Sequence, residues 1–298
     1  MKLIVIIINW NNAQDTIACA QSVYQWHDLK PFVWIVDNGS SGNDISRITR
    51  NCPYARIFRN SENLGFSAGN NTAIRYAIAE NCNYIMLLNN DAKLPESSAK
   101  RLIEMLERDP KISVIGPVLR ETSKNKVHFS LGGRNIGHYL NTRIEAATAP
   151  PQGAPLPVDY VPGTAVLLRS ELFRHIGYFD ERYFFSGEMA DLCRRAQLHG
   201  YGTALLPGTL ADHDINRSSS LRSTLYAYYN LRNRFLYVTT FETLHRRPLW
   251  KLFWITCGCA MIVSCLSKKQ KREARALWLA VLDGCSGRFG KQNERLGA

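Results

Sequence analysis

Tyr84-Ile85-Met86-Leu87-Leu88-Asn89-Asn90-Asp91 is an apolar run that ends on an acid preceded by two carboxamides. A short continuous apolar run bounded by polar residues reads as a buried strand. Open α/β sheets bind ligands outside the carboxyl ends of their strands, so Asp91 stands where such a sheet would hold one. A single end of this kind is weak, because turns favour Asn and Asp anyway. Two more repeat it: Ile4 to Ile8 runs into Asn9-Trp10-Asn11-Asn12, and Phe32 to Val36 runs into Asp37-Asn38-Gly39-Ser40. Three polar strand ends point to one ligand-binding edge.

Outward from this stretch, the first 120 residues alternate strand and helix patterns. Strands are expected at 2–9, 32–37, 55–60, 84–88 and 112–118, and helices at 16–26, 45–51, 68–80 and 96–107. Such alternation implies an α/β fold with a mainly parallel sheet covered on both faces. Pro150, Pro151, Pro155 and Pro157 interrupt the pattern, and residues 146–157 read as a loop, either a lid or a surface connector. A strand at 164–168, a short helix at 170–176 and a helix at 188–199 follow.

The chain has 298 residues and a net charge of +12, placed unevenly. Residues 217–298 carry 15 Lys+Arg against 4 Asp+Glu, whereas everything before them carries 22 against 21. A basic excess confined to the tail, away from the polar strand ends, argues against a nucleic-acid binder and suits an anionic membrane surface. The eight cysteines are scattered, with no C-x-x-C pair and no His at zinc-ligand spacing. The apolar start, Leu3 to Ile8, is too short for a signal sequence, so a cytoplasmic protein with reduced thiols is expected.

Asp37 could accept hydrogen bonds from a nucleobase or ribose edge, or form an Asx turn into a helix. Asn63-Leu64-Gly65-Phe66-Ser67-Ala68-Gly69-Asn70-Asn71 follows the third strand and opens a helix. Free N–H groups at a helix start suit an anionic or polar ligand, and the same residues also make a glycine turn with Asn capping. Neither segment matches G-x-x-x-x-G-K-[ST] or G-x-G-x-x-G.

Asn9-Trp10-Asn11, Val36-Asp37-Asn38-Gly39-Ser40, Asn63-Leu64-Gly65-Phe66 and Asn89-Asn90-Asp91 stand in the order seen in family 2 glycosyltransferases, which the chain resembles. The likeness is nearest to the bacterial rhamnosyltransferase-like branch of surface polysaccharide synthesis. It continues through Val161-Pro162-Gly163-Thr164, Tyr178 to Phe185, Glu188-Met189-Ala190-Asp191, His213 and Tyr228 to Asn233, covering roughly residues 2–240.

The resemblance implies a GT-A-like fold, mostly parallel and flanked by helices, in which residues 1–240 form the catalytic domain. It implies an inverting enzyme that moves a sugar from a nucleoside diphosphate to a saccharide acceptor carried on a polyprenyl diphosphate. Branch likeness makes dTDP-rhamnose the first donor and a UDP-sugar the second. By the same resemblance Asn9, Asn11, Asp37, Asn38, Asn63, Gly65, Phe66, Asn70, Asn90, Asp91 and Gly163 bind the nucleotide sugar, and Arg232 is either a further phosphate ligand in that site or a helix-surface charge. Asp91, with His213, is implied to touch Mg²⁺ or Mn²⁺, a Lewis acid for the leaving group. Asn89 replaces the first acid of the family's D-x-D-type element, and carboxamide oxygens can still serve a hard cation.

The acceptor hydroxyl must lose a proton, which calls for a carboxylate base. Glu188 ranks first and Asp191 second; they lie one turn apart at a helix start. Met189 stands where relatives usually carry Asp. Arg217-Ser218-Ser219-Ser220 is a further candidate for phosphate oxygens, through bidentate Arg contacts.

Residues 241–298 form a helical extension. Leu252 to Leu266 is apolar or small except at Thr256 and Ser264, with Lys251 on one side and Lys268, Lys269, Lys271 and Arg272 on the other. Fifteen residues fall short of the roughly 20 that span a bilayer, so a helix lying in the interface, on the inner face of the cell membrane, is expected. A helix docked on the enzyme is the other reading. Two further functional classes remain to be weighed. A sugar nucleotidyltransferase needs a Gly-rich basic loop after the first strand, which Asn9 to Asn12 does not supply. A non-catalytic transferase domain that binds nucleotide sugar or lipid is kept open by Asn89 and Met189.

Overall fold

The structure is a computed structural model and describes residues 1–123, 126–136, 140–146, 152–214 and 222–297. In chain order β1 (Leu3–Asn9), α1 (Ala13–Tyr24), β2 (Phe32–Asn38), α2 (Asp44–Asn51), β3 (Arg56–Asn60), α3 (Gly65–Ala79) and β4 (Tyr84–Asn89) form the first half. They are followed by β5 (Ala92–Lys93), α4 (Glu96–Arg108), β6 (Ile112–Ser123), β7 (Lys126–Ile136), β8 (Leu140–Ala146), β9 (Leu156–Pro157), β10 (Ala165–Arg169) and α5 (Ser170–Ile176). The last elements are α6 (Glu188–Leu198), β11 (Gly202–Asp214), α7 (Arg222–Phe241), α8 (Arg247–Ser267), α9 (Lys271–Ser286) and α10 (Asn293–Leu296).

The strands order as β3-β2-β1-β4-β10-β6-β11-β5. From β3 to β4 every pairing is parallel. Beyond β4 the sheet is mixed, because β10 runs antiparallel to both β4 and β6 while β11 is parallel to β6. Successive side chains on a strand face opposite ways. Leu3, Val5 and Ile7 therefore pack with α1, α2 and α4, whereas Ile4 and Ile6 pack with α3, α5 and α6. A continuous apolar strand is what a sheet covered on both faces requires.

Two differences from the sequence reading have clear causes. β11 was not anticipated, since Pro207 and Gly208 break its apolar pattern; the strand absorbs them in a register shift between Leu206 and Leu210. The apolar tail segment is also longer than 15 residues. Pro248 sits in the first turn of α8, which gives a 21-residue helix, long enough by length and composition to cross a membrane. Length therefore no longer separates a spanning helix from an interfacial one.

Packing does bear on that choice. Trp254 and Gly258 of α8 are buried, and a Cβ at Gly258 would lie 2.7 Å from Val281 of α9 and 3.2 Å from Leu231 of α7. Leu249, Leu252, Met261, Val263 and Leu266 remain exposed on the other side. Helices α7, α8 and α9 share a core with Phe184, before α6, and Ala190 of α6. The helical layer thus begins at α7, and its core continues into the segment that leads to α6.

Candidate active site

Parallel pairing fixes a row of polar residues along one edge of the sheet. Asn9 is in register with Asp37, Asn38 with Asn60, and Ile8 with Asn89. The strand order reverses at β1, which lies between β2 and β4, and in an open α/β sheet such a switch point leaves a crevice at the carboxyl ends of the two strands. Asn9 to Asn12 flank one side of it and Asn89 to Asp91 the other.

The near side is internally satisfied. Asn9 is fully buried and donates from Nδ2 to Asp37 Oδ1 and Ser40 Oγ, both at 2.9 Å, and to Asp44 Oδ2 at 3.3 Å. Its Oδ1 accepts from Thr16 Oγ1 at 2.7 Å, and Thr16 accepts in turn from Asn90 Nδ2 at 3.0 Å. Asp37 is buried and receives the Ser40 N–H at 3.4 Å, which is the Asx turn. Asn11 adopts φ +53° and accepts from the Ser41 N–H and hydroxyl.

A second knot ties the next loop down. Asn38 donates to Asn63 Oδ1 and the Gly65 carbonyl, both at 3.1 Å, and accepts from Asn60 Nδ2 and the Leu64 N–H. Gly65 has φ +79°, and a Cβ there would sit 2.2 Å from the Phe184 carbonyl oxygen. Only glycine permits both. The Phe66 N–H donates to that carbonyl at 2.9 Å, and Asn70 donates to the Phe66 carbonyl at 3.0 Å. Asn9 and Asn38 therefore build this edge; their polar atoms are already engaged within the protein.

The far side carries the acids. The Asn89 N–H donates to the Thr164 carbonyl at 2.9 Å, which brings the Gly163-Thr164 turn to the end of β4. A Cβ at Gly163 would lie 2.9 Å from Phe66 and 3.2 Å from Met189, so this glycine is wedged between Phe66 of α3 and the start of α6. Met189 is buried in the apolar cluster with Phe173 and Leu192, which explains an apolar residue at that place.

Glu188 begins α6 after Ser186 and Gly187, both at positive φ. Its Oε2 is shut off from solvent with no hydrogen-bond partner among the described residues. Burial lifts its pKa to about 7; its own N–H opposes the shift and the Asp191 charge adds to it. Asp191 differs. It too is raised by burial, but Arg195 opposes the shift and holds its Oδ2 at 2.7 Å.

Asp91 Oδ2 lies 3.5 Å from His213 Nε2, because His213 on β11 is in register with Ala92 on β5. His213 Nδ1 lies 3.4 Å from Oε1 of Glu121, which is 3 % exposed. Burial works against the imidazolium, yet the two carboxylates outweigh it and push the His213 pKa up to about 9. Sequence reading missed Glu121: a lone acid inside β6 gives no local signal, and only the β6–β11 pairing brings it to His213.

Arg232 corrects the sequence reading. It is fully buried, and its guanidinium donates to Asn233 Oδ1, the Gly290 carbonyl and the Arg182 carbonyl. It also stacks over Tyr229 at 4.8 Å. A guanidinium engaged in this way anchors the C-terminal segment and does not reach a phosphate. Residues 217–220 and the side chains of 146–151 lie outside the described residues.

Among the described residues no group of three or more His, Cys, Asp and Glu side chains is arranged to hold a metal. Asp91 and His213 make a two-residue donor set. That fits a hard cation which takes one or two protein ligands and completes its shell with substrate phosphates and water.

Residues 4–176 match the sequence profile of Glycosyl transferase family 2. The chain belongs to this family. A low-salt glycan biosynthesis hexosyltransferase, Agl10 of Haloferax volcanii, is 24% identical over 298 residues, covering 97% of this chain and 92% of that protein. An N-acetylglucosaminyl-diphospho-decaprenol L-rhamnosyltransferase of Mycobacterium tuberculosis is 24% identical over 212 residues, 61% of this chain and 66% of that one. Among solved structures, the mannosyltransferase PcManGT of Pyrobaculum calidifontis, in complex with GDP-Man and Mn²⁺, superposes with a TM-score of 0.61 at 14% identity, over 95% of this chain and 87% of its own. GalNAc-T7 with UDP, GalNAc and Mn²⁺ gives 0.61 at 12% identity, over 85% and 54%. The family 2 chain is a glycosyltransferase of GT-A fold.

Proposed function

We propose that this glycosyltransferase moves a hexose, with inversion, from a nucleoside-diphosphate sugar to a saccharide on a polyprenyl-diphosphate lipid. The observation that carries the reading is Glu188, a carboxylate shielded at Oε2 with no hydrogen bond there among the described residues, at the start of the helix whose Met189 lies beside Gly163 and so near the end of β4. In this reading Glu188 takes the proton of the acceptor hydroxyl as that oxygen bonds to the anomeric carbon. The bond from that carbon to the diphosphate oxygen breaks, and the nucleoside diphosphate leaves with the electron pair. A general base works best with a pKa near the operating pH, which about 7 satisfies.

Asp91 and His213 would hold Mg²⁺ or Mn²⁺ together with the donor's diphosphate. The cation would supply charge neutralisation for the leaving group. Asn11, Asn63, Phe66, Asn90 and Gly163 line the donor side in this reading, while Asp37 and Asn70 keep its loops in place. The name of the mycobacterial relative supports a lipid-linked acceptor and a rhamnosyl group, and in this reading dTDP-rhamnose stands ahead of UDP-sugars as donor.

Residues 241–298 attach the enzyme to the cytoplasmic membrane face in the same reading. The exposed apolar side of α8, with Lys251, Lys268, Lys269, Lys271 and Arg272 beside its ends, supports a helix lying in the interface. On its other side Trp254 and Gly258 pack against α7 and α9, which supports docking on the enzyme.

The test is a panel of nucleotide sugars offered with a polyprenyl-diphosphate saccharide, with Mn²⁺ and with EDTA. Transfer from one donor, lost on chelation, supports the reading. Donor binding without transfer to any acceptor would leave a non-catalytic nucleotide-sugar domain.

A further inference from the structure

We infer that Glu121 is a positioning residue, which holds the His213 ring so that Nε2 is presented toward a divalent cation at Asp91. The inference rests on the metal role proposed above for Asp91 and His213. Three strands carry it. Glu121 on β6 is in register with His213 on β11, and His213 is in register with Ala92 on β5, the residue after Asp91. Carboxylate, imidazole and carboxylate therefore follow one another across the sheet.

The two ring nitrogens point away from each other. Glu121 Oε1 faces Nδ1 at 3.4 Å and Asp91 Oδ2 faces Nε2 at 3.5 Å, so Glu121 cannot share an ion with Nε2. An acceptor at Nδ1 favours the tautomer with its proton there. That leaves the Nε2 lone pair for a metal, and such carboxylate–histidine pairs set ligand orientation and basicity.

The neighbouring register pair shows the alternative fate of charge on these strands. Arg120 pairs with Asp212 one residue along, and both side chains are nearly half exposed. Glu121 is instead turned inward, where an ionised carboxylate is costly unless it has partners.

The test measures Mn²⁺ binding to the full chain, without nucleotide, by electron paramagnetic resonance of the free ion. Glu121→Ala should weaken binding about 10- to 100-fold with the fold retained. Glu121→Gln, whose carbonyl still accepts from Nδ1–H, should recover most of it. Nitrogen-15 spectra, recorded where the His213 ring is neutral, should show it moving from the Nδ1–H form to a mixture of tautomers in Glu121→Ala, which a merely structural role would not produce. Should Glu121→Ala fail to fold, Glu121→Leu fills the volume without an acceptor and replaces it.

Unchanged Mn²⁺ affinity in the folded Ala or Leu variant, while His213→Ala loses it, overturns the inference and leaves the metal site standing. Unchanged affinity in His213→Ala and Asp91→Ala, or a wild-type chain that takes up no Mn²⁺, overturns the metal site and the inference together.

Discussion

The two sides of the crevice treat polar groups in opposite ways. On the β1–β2 side, Asn9, Asp37, Asn38 and Asn63 bind one another and the surrounding loops. On the α6 side, Glu188 holds a buried oxygen that binds nothing among the described residues. An unmade hydrogen bond on a buried carboxylate costs stability, whereas a closed network rigidifies the fold. On the proposed reading the difference separates scaffold from chemistry: the first side fixes a shape, and the second keeps a group ready to react.

The largest effect expected from this contrast is on turnover. Glu188→Gln should cut transfer by about 10²- to 10⁴-fold while donor affinity holds, since it removes only proton acceptance. Asp191→Asn should cost stability instead, because Arg195 then loses the charge it pairs with. Equal loss of turnover in the two variants, measured per folded molecule, would erase the distinction between these neighbouring acids.

The pH dependence comes next. Glu188 has a pKa raised from 4.5 to about 7, so the fold prefers its protonated form. The stability linked to that proton is full below about 4.5 and is lost as pH rises through about 7, by roughly 3 kcal/mol. Turnover runs the other way, rising through the same window as the base ionises. Thermal melts of wild type and Glu188→Gln should therefore agree near pH 4 and diverge by pH 8, with the variant more stable. A constant gap across that range would mean that the carboxylate is not held protonated by burial.

Third in size are the scaffold residues. Asn38→Ala leaves the Leu64 N–H and its neighbours without their acceptor, at about 1–3 kcal/mol. Arg232→Lys loses a planar, multiply bonded guanidinium and should also destabilise the protein, with donor KM unchanged. A KM rise specific to Arg232→Lys would return that residue to the phosphate site.

How much of this was legible in the sequence follows the same division. Tyr84 to Leu88, Ile4 to Ile8 and Phe32 to Val36 are uninterrupted apolar runs, so the parallel half of the sheet and its polar edge could be read directly. The order of the motifs also carried the family, which residues 4–176 match. What stayed hidden depends on pairing between distant strands. β11 is broken in sequence by Pro207-Gly208, and the contact of Glu121 with His213 exists only because β6 and β11 lie side by side. Arg232 misled because an arginine beside tyrosines looks the same whether it faces a phosphate or is enclosed by Tyr228, Tyr229 and Phe289.

The smallest expected effect tests whether the C-terminal segment belongs to the scaffold side. Lys291 Nζ meets Glu62 Oε2 at 2.5 Å, linking the chain beyond α9 to the turn before Asn63. Both side chains are well exposed, at 39% and 60%, so water and salt screen the pair. Exposed pairs of this kind contribute at most about 1 kcal/mol. Lys291→Ala should therefore shift the denaturant midpoint slightly and leave transfer unchanged, because Asn63 is already held by Asn38 and the Gly65 N–H. A clear change in donor KM would show instead that the segment steadies the donor loop. The scaffold side of the crevice would then reach past the sheet into the last ten residues.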